Sequence, residues 1–234
     1  MANAPRKDQL VVRFTRVELI QHWVLLVSLL GLALTGLALF AHATPLGRWL
    51  IELEGGMEAR GLWHRVFAVL LIGLTVWHLL YVLFSPRGNE QLRAMVPTRQ
   101  DLRDLASLIR YYRGVQGEPP EFGRFSPLQK LQYWGAGVGS LIMIFTGFIL
   151  WFHTEAMMVL PKWLFDVTAV VHGYEGLLLF IVLFVWHVYM VHLSPGHFPW
   201  SRVFLTGKIT AEELWRHHRA EYRALFGDEP PLEE

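Results

Sequence analysis

The sequence predicts an all-α fold, a transmembrane four-helix bundle with cytoplasmic amphipathic helices. Composition, long apolar runs and sorted positive charges all indicate it. Of the 234 residues, 53% are hydrophobic and 18% are charged, whereas a typical soluble domain has about 25% charged residues. The chain has no cysteine, which excludes disulfides, thiolate metal sites, iron–sulfur clusters and thioether-bound haem. The net charge of +1 gives no indication of nucleic-acid binding.

Four apolar runs reach the length of roughly 20 residues that a bilayer-spanning helix needs. The expected spans 1 to 4 are Trp23–Ala41, Val66–Phe84, Trp134–Phe152 and Ala169–Leu193. None contains Asp, Lys or Arg, and only span 4 contains a carboxylate, that of Glu175. The residues before span 1 are polar, so we expect no signal peptide.

Positive charges are concentrated on one predicted side of the membrane. Segments 1–22, 85–133 and 194–234 hold 17 of the 21 Lys and Arg residues. Because Lys and Arg accumulate in cytoplasmic loops, we expect both termini to lie in the cytoplasm. The predicted organisation is a cytoplasmic N-terminal segment (1–22), a transmembrane domain (23–193) that includes a cytoplasmic loop (85–133), and a cytoplasmic tail (194–234).

Two polar segments show amphipathic spacing. Residues 101–113 place leucine and isoleucine at helical intervals between charges, which is typical of an interfacial helix. Residues 210–225 predict a second helix, with Thr210 as N-cap and Glu213 three residues later. The final residues, GDEPPLEE, are expected to be disordered.

An internal repeat relates spans 1 and 2 to spans 3 and 4. Residues 76–86 and 185–195 share six of eleven positions. The pairs Thr35-Gly36 and Thr146-Gly147 recur at an offset of 111. Such a repeat favours a bundle with pseudo-twofold symmetry about the membrane normal.

Histidines lie at matched depths in the repeated spans. His64 and His78 in span 2 are 14 residues apart, and His172 and His187 in span 4 are 15 apart. Each pair therefore stays near one helix face, separated by roughly 21–23 Å along the axis. That distance is too long for one metal site, but it suits two stacked macrocycles with axial imidazoles. His22 lies at the inner end of span 1.

Other interpretations of these histidines predict different properties. A transporter or channel subunit would need charged residues along the spans, and these are nearly absent. A structural anchor would bind no cofactor and would tolerate replacement of the histidines. The remaining histidines are expected at membrane surfaces (His42, His153, His192 and His197) or on the surface of the tail (His217 and His218).

An ordered set of motifs resembles a known family. The set comprises Gln21-His22-Trp23, Leu34-Thr35-Gly36, Leu62-Trp63-His64-Arg65, Phe122–Trp134, Phe145-Thr146-Gly147, Val171-His172-Gly173 and residues 186–190. Together they resemble the gamma subunit of respiratory formate dehydrogenases, a membrane cytochrome b related to that of nickel–iron hydrogenases. The resemblance covers residues 13–222 and implies a multi-pass protein of the bacterial inner membrane.

The resemblance implies that two haems b carry electrons between a periplasmic-side redox subunit and the quinone pool. That subunit, an iron–sulfur or multihaem protein, would serve a separate catalytic subunit, because this chain is not expected to be an autonomous enzyme. The other expected partners are membrane lipids and either menaquinone or ubiquinone. The direction of electron flow stays open.

The resemblance also implies site residues. It assigns His64 and His172 to the outer haem and His22 and His187 to the inner haem. Quinone candidates are Gln129, Lys130 and Ser126, where Ser126 replaces a family asparagine.

Two departures from the family pattern leave alternatives. The family pattern has 14 residues between the span-4 ligands, and it has no counterpart of His78. The arrangement with His78 instead resembles the cytochrome b of bc and b6f complexes, with an inner haem held by His78 and His187. The repeat favours His78, whereas the family pattern favours His22, which we prefer. A third haem on the spare histidines is a further alternative.

Overall fold

The computed structural model describes residues 4–194, 198 and 200–232. The chain forms two compact units. We call Ile20–Leu79 with Gly135–Ser201 the apolar unit, and Met1–Leu19 with Leu80–Trp134 and Arg202–Glu234 the polar unit. Helices make up most of the described chain, which confirms the predicted all-α class.

Four helices are long and apolar enough to cross a membrane among the described residues. They are α1 (Arg16–Phe40), α3 (Gly56–Phe84), α6 (Pro127–Trp151) and the helix Lys162–Leu193, whose first part is α8 (Lys162–Phe180). The protein itself buries at most 22% of the apolar window of each. Apolar side chains thus face outward along all four helices, as expected for helices surrounded by lipid.

The last of these helices changes its hydrogen-bonding pattern after Phe180. Ile181–His187 and Tyr189–Leu193 are π-helical. Short helices α2 (Pro45–Leu53) and α7 (His153–Val159) lie in the two connections poor in Lys and Arg.

Local capping extends the helices beyond the apolar runs. The Thr15 N–H donates to the Glu18 carboxylate (2.7 Å), which caps α1 seven residues before Trp23. The Gly47 N–H donates to the Thr44 hydroxyl at the start of α2 (3.0 Å). The Gly88 N–H donates to the Ser85 hydroxyl (2.9 Å), where α4 (Pro86–Met95) begins directly after α3.

The polar unit is organised around a small ladder and a small core. Strand β1 (Leu10–Val12) pairs antiparallel with β2 (Lys208–Thr210). Ile209, Ala211, Leu214 and Tyr222 form a buried cluster beside this ladder. The unit also contains α5 (Arg99–Tyr112), α9 (Val203–Thr206), α10 (Ala211–His217) and α11 (Arg219–Phe226).

The amphipathic predictions are confirmed in outline. Helix α5 covers most of the predicted segment 101–113. The Thr210 cap is reciprocal, because the Glu213 N–H donates to the Thr210 hydroxyl (3.1 Å) and the Thr210 N–H donates to the Glu213 carboxylate (3.1 Å). The single predicted tail helix is instead two helices that meet at His218.

Two predictions for the tail were wrong. His218 is only 7% exposed, because its Nδ1 lies 2.8 Å from the Gly123 carbonyl and its Nε2 lies 3.1 Å from the Arg13 guanidinium. The final segment is ordered as far as Leu232. The Leu232 N–H donates to the Pro5 carbonyl (2.9 Å), which joins the segment to the N-terminal residues.

A partly buried ionic network joins the three pieces of the polar unit. The Arg13 and Arg124 guanidinium groups contact the Glu221 carboxylate at 2.7 and 3.0 Å. Burial lowers the pKa of Arg13, and the Glu221 charge opposes this shift. Since Arg13, Arg124 and Glu221 come from distant parts of the sequence, the network fixes the tail against the N-terminal and middle segments.

Candidate haem-binding site

His64 and His172 face each other inside the apolar unit. His64 is on α3 and His172 is on α8, and their ring centroids are 6.3 Å apart. Imidazole–metal bonds are about 2.0–2.1 Å long, so two imidazoles on opposite sides of one ion have centroids roughly 6 Å apart. The observed separation therefore suits two axial ligands of one metal.

Thr35 sets the hydrogen bonding of the His64 ring. Its hydroxyl lies 2.8 Å from His64 Nδ1 and 2.7 Å from the Gly31 carbonyl on its own helix, α1. Because the hydroxyl proton goes to the carbonyl, the hydroxyl oxygen accepts from His64 Nδ1–H. His64 Nε2 then keeps its lone pair, which is the state a metal-binding imidazole requires.

Thr146 does the same for His172. Its hydroxyl lies 2.8 Å from His172 Nδ1 and 2.7 Å from the Ile142 carbonyl on α6. The repeated Thr-Gly pair is visible in the sequence, but its contact with histidine is not. The offset of 111 between Thr35 and Thr146, close to the offset of 108 between His64 and His172, was the available signal.

The glycine after each threonine leaves room beside the ring. A Cβ at Gly36 would lie 3.5 Å from His64 Cε1, and a Cβ at Gly147 would lie 3.3 Å from His172 Cε1. Small residues at these positions let each ring pack closely on the neighbouring helix. The two halves of the repeat therefore build the same threonine, glycine and histidine arrangement.

His22 and His187 form a second facing pair. Their ring centroids are 6.5 Å apart, which again matches the separation of about 6 Å for two imidazoles on one metal. His22 Nδ1 is buried and has no hydrogen-bond partner among the described residues. The two pairs therefore differ in the groups that orient their rings.

His78 contacts the helix that carries His22. Its Nδ1 lies 2.9 Å from the Gln21 side-chain oxygen. Gln21 is buried, at 6% exposure, and directly precedes His22 in α1. The structure thus brings His22 to His187 and His78 to the residue beside His22.

The π-helical stretch explains how a 15-residue spacing keeps His187 in phase with His172. Fifteen α-helical residues would rotate four turns plus about 60°. Ile181–His187 is π-helical. A π-helical hydrogen bond joins residues i and i+5 instead of i and i+4, so each π turn contains more residues than an α turn. The π segment therefore absorbs the extra residue, and the phase approaches that of 14 α-helical residues.

The quinone candidates have local partners within the polar unit. The Ser126 N–H donates to the Gln129 side-chain oxygen (2.8 Å), and the Gln129 N–H donates to the Ser126 hydroxyl (3.3 Å), which caps α6. Lys130 Nζ donates to the Asp101 carboxylate (2.9 Å). Burial raises the pKa of Asp101, but hydrogen bonds from Lys130 and Thr98 lower it by more, so the net shift of the pKa is downward. Asp101 did not emerge from the sequence as a partner of Lys130.

The other histidines have different surroundings. His42 and His153 are exposed. The His192 ring stacks on Trp200 at a centroid distance of 4.5 Å. His197 lies outside the described residues.

Within the described residues, no group of three or more His, Cys, Asp or Glu side chains is placed to hold a metal ion. The two facing histidine pairs are the candidate ligand sets, and a pair suffices only if the rest of the coordination comes from elsewhere. Haem supplies four nitrogen ligands in its plane and needs one or two axial ligands. The two facing imidazoles of each pair and the separation of their rings fit haem.

A model of the prokaryotic cytochrome b561 family matches residues 13–197 of the chain. The chain belongs to this family. The cytochrome b556(Fdn) subunit of nitrate-inducible formate dehydrogenase from Escherichia coli K12 is 20% identical over 219 residues, covering 94% of this chain and 93% of the relative. A formate dehydrogenase cytochrome b556 subunit from Haemophilus influenzae is 23% identical, covering 92% of this chain and 84% of the relative.

Family membership and the four apolar helices make the chain a membrane b-type cytochrome in electron transfer. Its family implies haem b as cofactor. The resemblance stated from the sequence is confirmed.

Proposed function

We propose that this cytochrome b carries electrons across the bacterial inner membrane through two haems b, between a redox subunit on the outer side and the quinone pool. The observation that carries the proposal is the presence of two facing histidine pairs, with centroid separations of 6.3 and 6.5 Å, inside a four-span apolar unit. Bound haem supplies a one-electron carrier at each pair.

His64 and His172 hold the outer haem in this proposal. Thr35 and Thr146 would accept hydrogen bonds from the Nδ1–H groups of these histidines, which would leave both Nε2 lone pairs free to bind iron. Burial in apolar surroundings keeps the imidazoles neutral, and neutral imidazole is the form that binds iron.

His22 and His187 hold the inner haem. The facing geometry of this pair supports His22 over His78 as the partner of His187. His78 acts as a positioning residue, because its bond to Gln21 orients α1 next to His22. In this assignment the two facing pairs hold two haems, and the remaining histidines bind no third haem.

The orientation follows from charge. Segments 1–22, 85–133 and 194–234 carry 17 of the 21 Lys and Arg residues, so the positive-inside rule places them in the cytoplasm. Ser126, Gln129 and Lys130 belong to segment 85–133, and the last two lie in the first turn of α6. We propose that they lie at a quinone site on the cytoplasmic side, where the Lys130–Asp101 pair offers exchangeable protons.

The partners follow from the relatives. Both relatives are named as cytochrome subunits of formate dehydrogenases. We propose that this chain likewise serves a multi-subunit dehydrogenase or reductase, with an iron–sulfur or multihaem subunit that contacts its outer side and a separate catalytic subunit.

Alanine substitution of each histidine tests the haem assignment. His64→Ala and His172→Ala are expected to remove the same b-type signal in redox-resolved spectra. His22→Ala and His187→Ala are expected to remove the other signal, whereas His78→Ala retains both. His42→Ala is a matched control, since His42 is exposed and contacts only the Leu39 carbonyl among the contacts described. If His78→Ala removes the His187-dependent signal and His22→Ala retains it, the inner assignment is wrong.

A further inference from the structure

A partly buried arginine lies one turn before the outer haem ligand. Arg60 precedes His64 by four residues on α3, so both side chains lie on the same helix face. Arg60 Nη1 donates to the Thr35 carbonyl (3.0 Å). Thr35 is also the residue whose hydroxyl accepts from His64. The guanidinium is therefore fixed beside the histidine that we assign to the outer haem.

One hydrogen-bond donor of this guanidinium is not used. Arg60 Nε is buried without a hydrogen-bond partner among the described residues, and so is the Oε2 atom of Glu54. No carboxylate lies within 4 Å of the Arg60 nitrogens in the part of the chain that the structure describes. A partly buried cation without a paired anion is costly, so the arrangement indicates a missing anion.

Glu54 is the acidic group whose charge acts on Arg60. Burial raises the pKa of Glu54, and the Arg60 charge opposes this shift. Because no direct ion pair joins Glu54 and Arg60 among the described residues, the guanidinium remains available to another carboxylate.

Haem b carries two propionate carboxylates on one edge. Charged groups are excluded from the bilayer centre, so this edge points to the nearer membrane surface. Arg60 lies toward the Gly56 end of α3, roughly 6 Å from His64 along the axis. It is thus on the side of His64 where the carboxylates of an outer haem belong.

We propose that Arg60 binds a propionate carboxylate of the haem held by His64 and His172. The proposal rests on the haem assignment above and gives Arg60 a role as the counter-ion of this cofactor. Guanidinium pairs with carboxylate through two parallel hydrogen bonds, and Nε supplies one of the donors in such a pair. The charge of Arg60 also favours the reduced haem, because reduction adds an electron near a cation.

Arg65 provides a matched control on the same helix. It directly follows His64 and carries the same charge. Its guanidinium carbon lies 5.3 Å from the centre of the Trp151 ring, in a cation–π contact. An effect of general positive charge near His64 would appear in variants of both arginines, whereas a propionate contact would appear only in variants of Arg60.

The first experiment is a redox titration of the purified full-length chain. Arg60→Gln is expected to lower the ratio of reduced to oxidised outer haem about tenfold at fixed ambient potential, which equals about 59 mV for one electron. Arg65→Gln and the inner haem should stay within about twofold of the unsubstituted chain by the same relation. An unshifted outer haem in Arg60→Gln, or an equal shift in Arg65→Gln, would overturn the proposal.

The second experiment isolates the carboxylate contact. The full-length apoprotein is rebuilt with haem or with haem whose propionates are methyl esters, and outer-haem affinity is measured by its absorption. Arg60→Gln, or Arg60→Lys if the first variant does not accumulate, is expected to weaken binding of haem roughly tenfold and to leave binding of the ester unchanged. An equal loss for both cofactors would overturn the proposal. An unsubstituted chain that binds no haem at all would instead refute the proposed function.

Discussion

Replacing the two threonines tests the outer haem site without touching a ligand. Thr35→Val and Thr146→Val remove the hydroxyls that accept from His64 and His172 Nδ1 at 2.8 Å while keeping the side-chain shape. Each change leaves a buried N–H without an acceptor, which costs about 1–3 kcal/mol. Since about 1.4 kcal/mol corresponds to a factor of ten, outer-haem affinity is expected to fall by roughly 10–100-fold per site.

The assay is haem titration of the full-length apoprotein, with the outer haem followed at its own potential. Thr75→Val is the matched control, because the Thr75 hydroxyl donates to the Leu71 carbonyl at 2.8 Å, as Thr35 does to Gly31. The control should keep the affinity of both sites. Loss of the inner haem in Thr35→Val, or equal losses in Thr35→Val and Thr75→Val, would refute the role assigned to these hydroxyls.

One deletion and two further substitutions test other parts of the structure. Deleting Val182 from the π-helical segment is expected to convert it to α-helix and to retain both haem signals, because a 14-residue spacing has nearly the same phase; loss of the His187-dependent signal would contradict this. Gly31→Ala is expected to reduce the yield and thermal stability of the membrane-extracted protein, because its Cβ would overlap the Phe67 ring, and a smaller residue at position 67 should restore both. Asp101 has a lowered pKa, so its stabilising ion pair is complete above the ordinary pKa of about 3.9 and is lost as the pH falls through the lowered value. Asp101→Asn should therefore lower the unfolding temperature at neutral pH and flatten its dependence on pH below about 4; an unchanged acid profile would contradict the pairing.

Hydropathy located the four spans but not the ends of their helices. Hydropathy indicates which side chains face lipid, whereas the first and last residues of a helix depend on where its end groups are capped. Thr15 with Glu18 starts α1 well before Trp23, and Pro127 starts α6 seven residues before Trp134. The C-terminal ends agreed more closely, because Ser85 and Phe152 begin new helices almost at once.

The tertiary contacts of the polar unit could not be predicted from the sequence, because they join residues that are distant in the chain. Leu10 pairs with Thr210 across nearly the whole chain, and no local pattern reports such a pairing. His218 lies in the polar tail, and this location predicts a surface position. Its burial depends on Arg13 and Gly123, which are distant in sequence.

In the candidate site, too, some features could be predicted from the sequence and others could not. Depth along a helix follows from residue spacing, so the matched heights of the histidines could be worked out from the sequence. Spacing alone does not give the partner of each histidine, because helix rotation and the π segment decide it. The pairing came from the family resemblance, and the structure brings the same side chains face to face. The repeated Thr-Gly pair was visible, but only the fold shows that Thr35 and Thr146 reach His64 and His172.

The haem content of the purified full-length chain tests the central claim most directly. A pyridine haemochrome assay against protein concentration is expected to give two b-type haems per chain, both extractable with acidified acetone because the chain has no cysteine. One haem per chain would contradict the assignment of two facing histidine pairs. A colourless protein, prepared from membranes under conditions that retain non-covalent haem, would contradict the whole account.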